Sequence, residues 1–175
     1  MKFNNTNIRL ATLTDASAIV QLLNNAYRGE LSKKGWTTEA HLISGNQRTN
    51  QQQIEALLQQ KQCYFLKYVN DEKQLIGCVN LQIKNEGIYF GMFSVHPLQQ
   101  GVGIGKELLL AAEEFAQAHK MQRIYMTVID ARADLIAWYE RNGYANTNIT
   151  IPFEEDTISG KHLQKLSFTV LEKYV

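Results

Sequence analysis

Between Gly91 and Ala118 a strand, a glycine-rich turn and a long helix follow one another, reading GMFSVHPLQQGVGIGKELLLAAEEFAQA. The apolar run Met92, Phe93 and Val95 has strand character and stops at His96-Pro97. Gly101, Gly103 and Gly105 then fall at every second position. Behind them Leu108, Leu109, Ala112, Phe115 and Ala116 share one helical face. No other stretch constrains the fold as much. A helix start carries N–H donors without partners and the positive end of the dipole, and glycine lets an anion approach the backbone. The turn is therefore predicted to hold an anionic group, with the rest of the chain arranged around it.

The chain before this stretch reads as a strand over 7–11, then a helix from Ala16 to Tyr27 or Gly29 built on Ile19, Val20, Leu22, Leu23 and Ala26. Thr14 reads as its N-cap, with Asp15 in the first turn. Residues 28–48 are polar, carry the lone Trp36 and show helix-start chemistry at Thr37 or Thr38; so long a segment is often a binding element. A second helix is expected over 50–60 around Ile54, Leu57 and Leu58. Cys63–Val69 and Leu75–Ile83 flank turn chemistry at Asn70-Asp71-Glu72-Lys73 and read as an antiparallel hairpin. Asn85-Glu86-Gly87 leads into the strand 88–95.

Beyond the long helix, Arg123–Ile129 is an apolar run expected of a strand covered on both faces. Asp130–Asn142 reads as a helix stopped by Gly143. Strands over 144–151 and 163–171 close the chain around a polar segment, 152–162. The order β-α-α-β-β-β-α-β-α-β-β predicts one domain over about 7–172. It would be a mixed α/β (α+β) fold whose largely antiparallel, twisted sheet of about seven strands is flanked by four helices.

Composition narrows the function classes. A net charge of +1 over 175 residues gives no basic footprint for nucleic acid. No run approaches the ~20 apolar residues of a membrane span, and the first residues carry no signal-peptide pattern. Cys63 and Cys78 sit in apolar strands and read as buried reduced thiols, with no metal site. A cytoplasmic protein is expected.

Two commoner phosphate motifs fail on the turn. A P-loop needs glycine where Gln100 stands and a hydroxyl where Glu107 follows Lys106; a dinucleotide fingerprint needs G-x-G-x-x-G. The form present is Gln100-x-x-Gly103-x-Gly105 after a strand ending Val95-x-Pro97, with Tyr139-Glu140-Arg141-Asn142-Gly143-Tyr144 downstream. Both motifs, and the element order, resemble the GNAT superfamily of acyl-CoA-dependent N-acetyltransferases. The resemblance implies acetyl-CoA as co-substrate. Its pantetheine arm would lie along Phe93, Ser94 and Val95. Its pyrophosphate would lie in the turn formed by Gln100, Gly101, Val102, Gly103, Ile104, Gly105 and Lys106.

By the same resemblance Tyr139 is the catalytic residue, protonating the departing thiolate. The family's Asn and Ala upstream of that Tyr are here Arg132 and Leu135, so an Asn contact to pantetheine is not implied; Arg132 fits either a ligand contact or helix-start chemistry. Glu39, Glu86 and His96 are candidates for the general base. Trp36, Glu39 and Arg48 fall where the family builds its acceptor pocket. One aromatic and both charge signs suit a small amine-bearing or amino-acid-like acceptor. Acetylation of a protein N-terminus or lysine, and a non-catalytic acyl-CoA sensor, stay open beside this. Homodimerisation through the closing strands is a further expectation.

Overall fold

The computed structural model describes residues 1–175. Its sheet is built from strands β1 (Ile8–Leu10), β3 (Cys63–Val69), β4 (Leu75–Lys84), β5 (Gly87–Val95), β6 (Arg123–Ile129), β7 (Ala145–Pro152) and β9 (Ser167–Tyr174), in the order β1-β3-β4-β5-β6-β9-β7. Every neighbouring pair is antiparallel except β5 and β6, joined in parallel through helix α4 (Ile104–Ala118). The remaining helices are α1 (Ala16–Tyr27), α2 (Gly29–Ser32), α3 (Gln51–Gln59) and α5 (Ala133–Arg141).

Side-chain alternation divides the core into two layers. Phe65 and Cys78 join Ile19, Leu23 and Ile54 beneath α1 and α3. Their chain neighbours Leu66 and Val79 join Leu108, Phe115 and Tyr139 beneath α4 and α5. A smaller cluster of Leu42, Ile43, Ile129 and Leu166 lies under the long loops.

Several helix boundaries follow from local chemistry. Asn50 caps α3 by accepting the Gln53 N–H. Helix α5 ends in a Schellman closure: Gly143, at φ 89°, donates to the Glu140 carbonyl, and Tyr144 donates to that of Tyr139. The start of α1 differs from expectation. Thr12, not Thr14, begins a 3-10 turn over Leu13–Asp15, because Asp15 reaches back to accept the Thr12 N–H.

Three further expectations are corrected. Thr37 and Thr38 start no helix; the Thr38 hydroxyl bonds Ser32 and accepts from the Ala40 N–H. Strand β6 is not covered on both faces: Ile124, Met126 and Val128 are buried, while Tyr125 and Thr127 are half-buried and bond Glu86 and Tyr89. The last strand starts at Ser167, since pairing of Ile129 with Phe168 and Arg123 with Tyr174 sets its register. Leu163, which pulls a sequence reading earlier, stays exposed.

Residues 28–48 are more structured than a loop. Strand β2 (Ile43–Ser44) pairs antiparallel with β8 (Lys161–His162), forming a two-stranded sheet between segments over a hundred residues apart in sequence. Together these segments cover the end of the main sheet where β5 and β6 separate.

Candidate functional site

The site originates in one inserted residue. Cys78 pairs with Ser94 and Asn80 with Gly91, so β5 carries one residue more than β4 across this interval. Met92 sits at φ 46° in this bulge. Strand β5 pairs with β6 only at Ile88–Ile124 and Tyr89–Tyr125; beyond that point β6 continues along β9 and a gap opens. One cavity lies in this gap and a second runs on from β5 toward the glycine turn, and Phe93 lines both.

The larger, about 420 Å³, runs from Phe93, Ser94 and Val95 to the glycine turn. Gly103 is the N-cap of α4 at φ 97°, and an added Cβ would meet nothing within 4 Å; its backbone conformation requires glycine, rather than any lack of space. At Gly105 the reason is proximity, because a Cβ would come within 3.3 Å of the Phe93 ring and 3.5 Å of Trp138. No backbone carbonyl accepts from the N–H groups of residues 101–106. They open onto the cleft at the positive end of a 15-residue helix. Lys106 lines the cleft, whereas Val102, 71% exposed, does not. These are the features a pyrophosphate requires.

Gln100 lines the cleft and also grips the neighbouring segment. Its Oε1 accepts the Trp36 N–H at 2.9 Å, and its Nε2 donates to Thr37 Oγ1 at 2.8 Å and the Val95 carbonyl at 3.0 Å. Arg132 holds the same strap from the other side, donating to the carbonyls of Trp36, Thr37 and Thr38 while pairing with Asp134. The Arg132 side chain makes no helix cap; it clamps this strap at the start of α5 and also lines the smaller cavity. Trp36 therefore stands in the wall of the larger cleft, 6.1 Å from Trp138, and not with Glu39 and Arg48. Trp138 in turn stacks on Phe93 at 5.9 Å and 21°.

The smaller cavity, about 80 Å³, lies deeper between β5 and β6. Tyr27, Glu39, Arg48, Phe90, Arg132 and Tyr139 contribute to its wall. Tyr27 donates to the Phe93 carbonyl, whereas the Tyr139 hydroxyl keeps no protein partner. Burial pushes the Tyr139 phenol well above its ordinary value, reinforced by Tyr27 and Tyr144 and opposed by Arg132. It is therefore protonated at neutral pH. Burial likewise pushes the adjoining Cys78 thiol up to about 12, leaving it neutral.

Of the three candidate bases, only Glu39 reaches this cavity. Its Oε2 accepts from Arg28 Nη1 at 2.5 Å, and Arg28 also donates to the Ser159 carbonyl through Nε and Nη2. Glu86 is on the exposed turn before β5, bonded to Tyr125, and His96 lines an outer groove with Leu22 and Gln99. Sequence reasoning missed Tyr27 and Arg28 altogether, since one ends a helix and the other reads as ordinary loop polarity. Trp138 had a usable signal: on a helix it must flank its neighbour Tyr139.

Residues 18–144 match the acetyltransferase (GNAT) family. The chain belongs to that family. Acetyl-CoA-dependent N-acetyl transfer is the chemistry of its members, and the glycine turn, free N–H groups and aromatic wall suit that co-substrate. The protein YdhI of Bacillus subtilis, itself uncharacterised, is 32% identical over 76 residues, 43% of this chain. The match spans 46% of that protein's length, so the chain covers about half of the curated relative. The fold is shared with the ribosomal-protein-S18-alanine N-acetyltransferase of Escherichia coli, at TM-score 0.71 and 14% identity over 96% of this chain and 92% of the other. It is also shared with the PaiA N-acetyltransferase of Thermoplasma acidophilum in complex with coenzyme A, at TM-score 0.66 and 17% identity over 96% and 98%. No helix of the protein is long and apolar enough to cross a membrane.

Proposed function

We propose that this family member transfers the acetyl group of acetyl-CoA directly to the primary amine of a small molecule, within a single domain of about residues 7–172. The observation that carries this reading is the shared wall: Phe93 borders both the cleft of the glycine turn and the smaller cavity of Tyr139. A carrier held in the first would meet an acceptor held in the second. Acetyl-CoA would supply an activated thioester. The N–H groups of 101–106 would hold its pyrophosphate, and Phe93, Ser94 and Val95 would flank its arm. The carbonyls of Phe93 and Val95 already accept from Tyr27 and Gln100, leaving one lone pair on each.

Tyr139 gives its proton to the sulfur as the C–S bond breaks and the amine nitrogen bonds the acyl carbon. The proton shed by the amine restores the phenol through water. Since Glu39 is committed to Arg28, the acceptor loses its first proton to solvent rather than to a dedicated carboxylate. The catalytic gain comes from placing both reactants together and from a proton donor aimed at the leaving group.

Closure of the acceptor side favours a small molecule over a peptide. The β2–β8 pair and the Arg28 contacts to Glu39 and Ser159 tie residues 28–48 to 153–162 across the place where a peptide groove would open. A free Tyr139 hydroxyl favours an enzyme over a sensor. The two unpaired cysteines suit a cytoplasmic setting, and the exposed edge strand β7 is the surface a second copy would use. The test is thiol release from acetyl-CoA with a panel of small amines and N-terminal peptides. Tyr139→Phe is expected to lower kcat about 100-fold or more with acetyl-CoA affinity unchanged. Undiminished turnover removes Tyr139 from the mechanism; turnover of peptides alone removes the small-molecule reading.

A further inference from the structure

The charges around the acceptor cavity do not cancel. Glu39 is matched by Arg28, whose side chain is fully buried. Arg132 is matched by Asp134 and three carbonyls. Arg48 has neither an ion pair nor a side-chain hydrogen bond. Its Nε is buried without a partner, and its guanidinium lies 4.7 Å over the Tyr27 ring, in the wall of the cavity that Tyr139 borders. Asp156 is close enough for its carboxylate to feel Arg48. That carboxylate already accepts from the Ile158 N–H and from the N–H and hydroxyl of Ser159.

The backbone beneath this arginine is fixed. Asn24, on α1, accepts the N–H groups of Arg48 and Thr49 at 2.7 and 3.1 Å and donates to the Thr49 carbonyl. An anchored cation with unused donors, held over an aromatic face in a small cavity, is an arrangement that recognises an oxyanion in a planar, two-pronged geometry. A buried donor left unpaired is costly, so a ligand that satisfies it gains accordingly.

We propose that the acceptor carries an oxyanion, a carboxylate in the simplest case, which Arg48 binds while its primary amine is presented to the acyl carbon beside Tyr139. This rests on the acetyltransferase reading above. It selects amino acids and similar amino-oxyanions among small amines. It disfavours polyamines, whose second ammonium would face Arg48. The cavity of about 80 Å³ has room for a compact head group, which also suits this class.

Thiol release is to be measured with L-amino acids, their C-terminal amides, aminoalkylphosphonates, and the diamines putrescine and spermidine. The wild type is expected to prefer an oxyanion-bearing amine to its amide by about 10- to 100-fold in kcat/KM. Preference for the carboxylates or for the phosphonates identifies the oxyanion. Arg48→Met should erase that preference, Arg48→Lys should keep part of it, and both should bind acetyl-CoA as the wild type does. That binding also shows that the variants are folded. Equal or better turnover of diamines or amides by the wild type overturns the proposal while leaving an acetyltransferase. So does a preference that survives Arg48→Met, or acetyl-CoA binding with no turnover of any oxyanion-bearing amine. Absence of both acetyl-CoA binding and thiol release overturns the acetyltransferase reading itself.

Discussion

The two walls of the site are made in different ways. The wall of the larger cleft is mostly one continuous stretch, residues 93–106, whose glycine turn offers bare backbone N–H groups. The wall of the smaller cavity, the proposed acceptor side, is assembled from α1, the 33–49 segment, β5, β6, the start and body of α5, Phe153, and Phe168 on β9. Its closest ties join residues far apart in sequence, as where Arg28 meets the carbonyl of Ser159, 131 positions away. A group common to every turnover can be held by local geometry. An acceptor that distinguishes one enzyme from another calls for side chains collected from the whole chain.

If that contrast is right, the acceptor wall should be the costlier to damage. Arg28→Met strands the buried Glu39 carboxylate and unties Ser159, and is expected to lower unfolding stability by about 3–5 kcal/mol. Urea denaturation measures it, and a midpoint close to that of the wild type would mean the two long segments are held by other contacts. The cofactor wall should instead fail in binding. Gly103→Val forces a branched side chain into left-handed backbone, at about 1–2 kcal/mol, and pushes the turn's N–H groups out of line. Calorimetry should show acetyl-CoA affinity reduced about tenfold or more, with the fold retained by circular dichroism. Unchanged affinity would shift the pyrophosphate away from this turn.

The smallest effect is expected at a pair remote from both walls. Burial alone would raise the Asp15 carboxyl, but Lys67, at 2.7 Å, and the Thr12 N–H outweigh it and hold it below its ordinary value. A depressed carboxyl stabilises the fold above its unfolded pKa, near 4. That contribution is lost as pH falls through the lower folded value. Asp15→Asn should therefore cost about 1 kcal/mol or less at pH 7 and progressively less below pH 4, with catalysis untouched. A constant cost down to pH 2 would show that the pair's charge is not what matters.

The same contrast explains what the sequence discloses. The turn, the hairpin of β3 and β4 and the Gly143 stop are decided within a few residues of themselves, and all are legible. Strand β2 is two residues long, and its partner lies in a segment that reads as polar loop, so no local pattern announces either. Arg28 looks like any surface charge until the fold buries it. Arg132 carried two readings, a ligand contact and helix-start chemistry, and neither discloses its grip on carbonyls some 95 residues away. Trp36 fell beside Glu39 in sequence, and only the grip of Gln100 and Arg132 turns it toward the other cleft.

The bulge at Met92 has a wider meaning for a protein built on a sheet. Unpaired strand backbone is normally found at a sheet's border, where it invites foreign chains and aggregation. Here β5 acquires an edge in the interior of the sheet, bounded by β6, α5 and a row of aromatic rings. Such an edge is reachable by a thin flexible molecule and sheltered from another protein. A β5 without its extra residue would pair with β6 to the end, giving a more regular sheet with nothing left to recognise.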